Sequence, residues 1–288
     1  MKLSQSKLFL ANQVNAEQTI NSGQVFLWEQ LNDSWYGIDG QNIIKITQES
    51  FSFESLSSGI EKFFRFNDDI DKIIKEISKD EIVKKAIKNS SGLRLLNQDP
   101  FQCYISFIVS SNSNIQNIKN SLQKMCKNFG EKIKFDKKEF FLFPTPKELA
   151  KAKTSELVKC GLGYRAKFVK QASKEVVNDK INFKILEKTD YHTAKNALTE
   201  TFGIGNKVAD CILLFSLNKL EAFPLDRWMI RVLEKYFPHV FCLNGKTLTP
   251  KKYDELHEKI VEYFGPYAGY TQQFLFKMER DLNKKKWL

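Results

Sequence analysis

Cysteine is scarce and scattered in this 288-residue chain. Its five cysteines, Cys103, Cys126, Cys160, Cys211 and Cys242, are odd in number, and no two stand at metal-ligand spacing. Neither a disulfide framework nor a cysteine-held zinc or iron–sulfur centre is expected from such a set. No cofactor is expected, and no side-chain motif for a metal is found. Long apolar runs are missing too, none approaching the ~18 residues of a membrane span. The opening MKLSQSKLFLANQVN has no uninterrupted apolar core and no cleavage signature, so it does not read as a secretory leader. Repeats and low-complexity linkers are absent. The expectation is an intracellular protein of a reducing compartment: cytoplasm or nucleoid, or the nucleus if the source is eukaryotic.

What is abundant is positive charge. Lys and Arg number 45 against 34 Asp and Glu, a formal net charge of +11. Such a balance fits a polyanionic partner, most simply nucleic acid, although a lysine-rich proteome would produce it as well. Hydrophobic residues make up 42% and charged residues 27%, ordinary for a globular protein. The length allows one large domain or two to three small ones.

The first third reads as β-rich. QVFLWEQL (24–31), SWYGI (34–38) and NIIKITQ (42–48) have strand length and apolar or alternating character, with FSFES (51–55) as a further short strand. Asn32-Asp33 and Asp39-Gly40 separate the first three as hairpin signals. Helical spacing follows at IEKFFRF (60–66) and DDIDKIIKEI (68–77). After Asp99-Pro100 the pattern becomes helix after helix. Pro100 and Pro146 suit first helical positions, and Thr249-Pro250 is an N-cap followed by proline. The lysine clusters at 137–138 and 284–286 read as solvated loop or tail charge.

The most informative stretch is FGIGNKVAD, residues 202–210. YHTAKNALTETF (191–202) before it and KVADCILLFSL (207–217) after it read as two helices, with Gly203 and Gly205 in the tight turn between them. A helix that starts after glycine exposes unpaired N–H groups, which bind phosphate without reading sequence. Lys207 lies in the first turn of the second helix, and Asp226 follows nineteen residues later at the mouth of the next. An amine there is expected to have its pKa lowered by the helix field and by burial, freeing it to attack as a nucleophile. Asp226 has a structural role open to it as an N-cap, and a catalytic one as a carboxylate facing positive charge that develops in a transition state.

Seven collinear segments carry a resemblance: SGQVFLW (22–28), LLNQDPF (95–101), SFIVSSNSNI (106–115), GLGYRAKFV (161–169), FGIGNKVADC (202–211), FPLD (223–226) and GPYAGYTQQFLF (265–276). Through them the chain resembles the 8-oxoguanine DNA glycosylase/AP lyases of the helix-hairpin-helix superfamily along nearly its whole length. The resemblance implies an α+β fold: an N-terminal antiparallel sheet of TBP-like type over 1–96, then an all-α glycosylase body in two lobes over 97–288, with the hairpin at about 191–217. It implies action on double-stranded DNA that contains 8-oxoguanine, and a monomer is expected because one flipped base needs one pocket. Lys207 would displace the damaged base at the sugar's anomeric carbon, form a Schiff base and permit β-elimination, with Asp226 stabilising the departing base's positive partner.

For recognition of a flipped base, the resemblance implies that the Gly23 carbonyl accepts the N7–H that 8-oxoguanine has and guanine lacks. Cys211 and Phe276 would sandwich the purine, and Gln272 would read its Watson–Crick edge. Asn112 would fill the gap in the duplex, Tyr164 would wedge it, and Arg165 would read the orphaned cytosine. Backbone N–H groups around Gly203, Gly205 and Val208 would hold phosphate, and a monovalent cation on hairpin carbonyls is a further implication. Three positions depart from the eukaryotic pattern. Asn117 stands for a second cytosine-reading arginine, Ser113 for an asparagine, and Trp228 for a histidine associated with the substrate phosphate. Loss of one bidentate arginine predicts weaker discrimination of the opposite base. Two other readings stay open: a monofunctional alkylation-repair glycosylase, against which Lys207, Gly23 and Gln272 speak, and a non-catalytic helix-hairpin-helix DNA-binding protein.

Overall fold

The computed structural model of the chain describes residues 14–47, 52–241 and 248–283. The segment read for a leader (save Val14 and Asn15), Cys242 and the lysines at 284–286 lie outside the described residues, as do Gln48 and Phe51 at the ends of two expected strands. After a short helix α1 (Ala16–Ile20), four strands follow: β1 (Trp28–Leu31), β2 (Ser34–Asp39), β3 (Asn42–Thr47) and β4 (Ser52–Ser55). They form an antiparallel meander in chain order. Pairing of Asp39 with Asn42 makes Gly40 and Gln41 the turn residues, one position later than the expected Asp39-Gly40. Gly40 supplies the left-handed φ of 58° that begins this turn. Opposite Trp28 stands Gly37, where an added Cβ would lie 2.0 Å from the indole, so the ring packs flat on the neighbouring strand.

The expected strand at 24–31 begins only at Trp28. The reason is Gln24, whose buried amide is spent on tertiary bonds: Nε2 donates to Ser22 Oγ and the Arg94 carbonyl (both 2.9 Å), and Oε1 accepts from Leu96 N at 2.8 Å. Gly23 therefore belongs to a turn before the sheet and does not begin a strand. Helices α2 (Ile60–Phe63) and α3 (Ile70–Ile77) are shorter than the expected segments, and α4 (Glu81–Asn89) joins them.

The body opens with α5 (Pro100–Ser110), with Pro100 in its first turn and the Asp99 side chain accepting from Gln102 N at 2.8 Å. Helix α6 (Ile115–Phe129) is followed by a hairpin, β5 (Lys132–Phe135) and β6 (Lys138–Phe141), in a part of the chain read as helices joined by loops, with no strand expected. Its turn, Asp136-Lys137, is left-handed at both residues, the backbone that a two-residue hairpin requires. Lys138 is not solvated loop charge: it begins β6, and its ammonium lies 5.2 Å from the Tyr36 ring centroid. Tyr36 stacks on Phe140 at 5.6 Å, seating the hairpin against the sheet.

Seven further α-helices follow: α7 (Pro146–Lys151), α8 (Thr154–Leu157), α9 (Arg165–Val177), α10 (Phe183–Lys188), α11 (Tyr191–Thr199), α12 (Asn206–Ser216) and α13 (Arg227–Tyr236). Then come α14 (Pro250–Phe264) and α15 (Ala268–Leu282). Side-chain caps set most of these starts, including a Thr145–Glu148 capping box and Thr249 before Pro250. Helix α15 turns back to pack on α3 and α4. One apolar core joins Phe26, Tyr36 and Ile43 of the N-terminal part to Phe107, Leu213 and Leu275 of the helical part. That shared core fixes the Gly23 turn relative to the helical hairpin.

Candidate active site

Between α11 and α12 the chain turns in six residues. Thr201, 1% exposed, anchors the turn by donating to Glu175 Oε2 at 2.8 Å and receiving the Tyr104 hydroxyl at 3.1 Å. Gly203 has φ of +95°, and a Cβ there would press to 2.7 Å from the Phe168 ring. At Gly205 the expectation of a sterically required glycine fails. Its backbone is extended (φ −96°, ψ 174°) and nothing lies within 4 Å of a built Cβ. Gly205 is the N-cap of α12 and offers no side chain, so no side-chain cap occupies the first N–H groups of that helix. A bare, unobstructed helix start is an anion site by its partial charges alone.

Lys207 stands in the first turn of α12, half-buried, with its ammonium 5.6 Å from the Phe107 ring centroid. Asp226 caps α13: its Oδ1 accepts from Trp228 N and Met229 N, both at 2.9 Å. Both residues line one cleft of about 960 Å³, together with Asn112, Gly203, Gly205, Val208, Trp228 and Tyr253. Burial is the largest influence on Lys207 and pushes its pKa down, but Cys211 and Asp226 together outweigh it and the net direction is up. The Cys211 thiol is itself pushed up to about 12, chiefly by burial. The expected lowering of the Lys207 pKa is thus reversed in the free protein.

At one end of the cleft Asn112 is exposed and holds a left-handed φ of 49°. Arg165 fastens this loop, its Nε donating to the Ser111 carbonyl at 2.7 Å and its Nη2 to the Asn112 carbonyl at 2.9 Å. The Arg165 guanidinium also lies 4.7 Å from the centroid of Tyr164, whose ring is 53% exposed. Asn112 and Ser113 are shared with an adjoining pocket of about 400 Å³, into which Asn117, Asn120, Lys124 and Arg165 also face. Trp228 lines the cleft wall with the Arg231 guanidinium 5.4 Å from its ring.

Cys211 lies one turn below Lys207 on α12, 3% exposed and hydrogen-bonded to its amine. Gln272 and Phe276 are one turn apart on α15. The Gln272 amide is 5% exposed, and its Oε1 is buried without a hydrogen-bond partner. An unmatched buried acceptor of this kind costs about 1–3 kcal/mol and marks a place where a ligand donor belongs. Gly23 abuts Phe276, with 3.1 Å between a built Cβ and the ring edge. Its carbonyl accepts no bond from any described residue. Helix α15 is brought close to α12 by Gly269, where a Cβ would fall 2.2 Å from Leu214 Cδ1, and Gly269 N donates to the Leu220 carbonyl at 2.8 Å.

The model of the HhH-GPD superfamily base excision DNA repair proteins matches residues 105–262, and that of the 8-oxoguanine DNA glycosylase N-terminal domain matches residues 7–104. The chain belongs to the HhH-GPD superfamily. It is 30% identical over 247 residues to a probable N-glycosylase/DNA lyase of Methanothermobacter thermautotrophicus, covering 79% of this chain and 76% of the relative. To an N-glycosylase/DNA lyase of Arabidopsis thaliana it is 30% identical over 287 residues, 92% of this chain and 77% of that one. The crystal structure of the Clostridium acetobutylicum 8-oxoguanine glycosylase/lyase, in complex with DNA containing cytosine opposite the lesion, superposes with a TM-score of 0.84 at 26% identity. That match covers 94% of this chain and 93% of the other.

For an HhH-GPD chain, several residues at the site carry no sequence signal of their own. Gln273 and Arg280 reach from α15 to the Ser22 and Asn21 carbonyls, at 3.0 and 2.9 Å, and hold the Gly23 turn from below. Gln98 holds it from the side, donating to the Gln24 carbonyl at 2.9 Å. Phe202, 70% exposed beside Gly203, packs edge-on against Phe168 at 5.0 Å. Only the QDPF and TQQF segments hinted at any of these, and a segment match does not reveal which glutamine clamps and which reads a base.

Proposed function

We propose that this chain excises 8-oxoguanine from duplex DNA and then nicks the strand, as a DNA glycosylase with AP lyase activity acting through Lys207. The carrying observation is the cleft in which a half-buried amine, an N-capping carboxylate and a helix N-terminus without a side-chain cap meet. In this reading the N–H groups near Gly203, Gly205 and Val208 hold a phosphate and bring the flipped nucleotide's sugar to Lys207. The amine forms its bond to C1′ as the glycosidic bond breaks, and the base leaves with the bonding pair and takes up a proton. Asp226 stabilises the positive charge that grows on the sugar. Opening of the sugar ring leaves an imine to Lys207. Loss of a C2′ proton then expels the 3′ phosphate, and water releases the enzyme.

Recognition follows the same logic. The free Gly23 carbonyl accepts the extra N–H of 8-oxoguanine, the unpaired Gln272 amide reads the opposite edge, and Cys211 and Phe276 enclose the ring. Guanine leaves the Gly23 carbonyl facing its own N7 lone pair, and that mismatch discriminates the lesion. Asn112 fills the gap, Tyr164 wedges the duplex, and Arg165 with Asn117 faces the orphaned base. In this reading residues 1–96 supply the Gly23 lip of the pocket and residues 97–288 the nucleophile, and one chain makes one complete site.

Base release and strand nicking should be measured on four duplexes, with 8-oxoguanine opposite each normal base. Release from all four is expected, with cytosine preferred by well under a hundredfold, because Asn117 offers a neutral amide in place of a bidentate cation. No base release from any duplex would refute the function. A hundredfold cytosine preference would refute the role given to Asn117.

A further inference from the structure

Behind the cleft lies a buried polar bridge that the mechanism above does not use. Asp210, on α12 three residues after Lys207, is fully buried, and both its oxygens are engaged. Oδ1 accepts the Tyr191 hydroxyl at 2.7 Å, and Oδ2 accepts the Tyr253 hydroxyl at 2.6 Å. The Tyr253 oxygen in turn accepts from the backbone N of Leu225 at 3.0 Å. Leu225 immediately precedes Asp226. A single phenol on α14 thus spans the helix that carries the amine and the loop that carries the carboxylate.

The surroundings keep this bridge in one state. The His257 ring stacks on Tyr191 at 4.2 Å and 7°, and its Nε2 lies 3.0 Å from the Glu221 carbonyl. The Lys195 ammonium sits 5.3 Å from the Tyr191 ring and 4.5 Å from the Tyr253 ring, and pairs with Asp254 at 2.7 Å. Burial first, then the Asp210 charge, pushes the pKa of both phenols well up, so both remain donors. A chain running from N–H to O–H to carboxylate polarises along its length and is stronger than its separate bonds.

We infer that Tyr253 is a positioning residue that fixes the distance between Lys207 and Asp226 by tying α12 to the loop entering α13. Its own surface faces the cleft wall, yet its hydroxyl is committed inward. Tyr191 makes the same kind of bond to Asp210 and no bond to the Asp226 loop, which provides a matched control. The inference rests on the catalytic reading proposed above.

The test compares Tyr253→Phe with Tyr191→Phe under single-turnover conditions, with enzyme in excess over an 8-oxoguanine·cytosine duplex. Affinity for a duplex containing a tetrahydrofuran abasic analogue is measured in parallel. For Tyr253→Phe the base-release rate should fall at least tenfold with the analogue bound within twofold of wild type. For Tyr191→Phe both quantities should stay within twofold. Such a split places the loss in the chemical step rather than in binding. Equal falls in both variants, or no fall in Tyr253→Phe, overturn the inference. If either single variant melts below the assay temperature, the same contrast is read between Asp210→Asn with Tyr253→Phe and Asp210→Asn with Tyr191→Phe, where no buried charge is stranded. A wild-type enzyme that releases no base would instead overturn the proposed function.

Discussion

To act as the proposed nucleophile, Lys207 must lose a proton, and in the free protein its surroundings shift its pKa upward. Burial works against the ammonium, while Cys211 and the Asp226 carboxylate in the same cleft work for it and together prevail. Removal of the opposing charge therefore has a definite sign. In Asp226→Asn the Lys207 pKa falls, so the acidic limb of the pH profile for borohydride trapping on a preformed abasic site should move to lower pH. A limb that stays in place or moves up would show that Asp226 does not set the protonation of the amine. The standing of Lys207 and Asp226 as candidate catalytic residues was legible from their motifs. Their mutual electrostatics was not, because nineteen residues of chain separation say nothing about distance through space. A helix start by itself predicts a lowered pKa, and only the folded cleft shows Cys211 and the Asp226 carboxylate, which together reverse it. The same holds for Gln272, whose unpaired buried oxygen becomes visible only when every neighbour is in place.

At the scale of elements, the hairpin's two glycines do different work. Gly203 is required by backbone and by space at once, with φ of +95° and Phe168 at 2.7 Å from a built Cβ. Gly203→Ala should lower the melting temperature by several degrees, since the left-handed conformation alone costs about 1 kcal/mol for a residue with a Cβ. Gly205→Ala should leave stability unchanged and weaken DNA binding, because its methyl would stand only in the open space before α12. Thermal melts of the two variants check this, and an equal loss in both would contradict it. Helix starts with a chemical signature, such as Asp99-Pro100, Thr145-Pro146 and Thr249-Pro250, were readable because the signal is local. The β5–β6 hairpin was not. Its strands, KIKF and KEFF, are lysine-rich and gain their apolar partner from Tyr36, about a hundred residues away. Gln24 delays the start of the first strand for the same kind of reason, through bonds to Arg94 and Leu96.

Across the whole molecule, the site is assembled from distant stretches of one chain. The Gly23 turn comes from the N-terminal part, clamped by Gln273 and Arg280 of the last described helix. The amine, the carboxylate and the gap-side residues come from the body between, and a shared core holds the two parts in register. The basic balance of +11 then has a physical use, since phosphate contacts supply affinity while base contacts supply choice. We propose Lys207 as the covalent nucleophile of a base-excising enzyme. Borohydride trapping on a duplex with one 8-oxoguanine opposite cytosine tests it most directly, comparing wild type with Lys207→Gln. A covalent protein–DNA band with wild type and none with Lys207→Gln is the predicted result. Base release by wild type without any trapped band, or an undiminished band with Lys207→Gln, would contradict it.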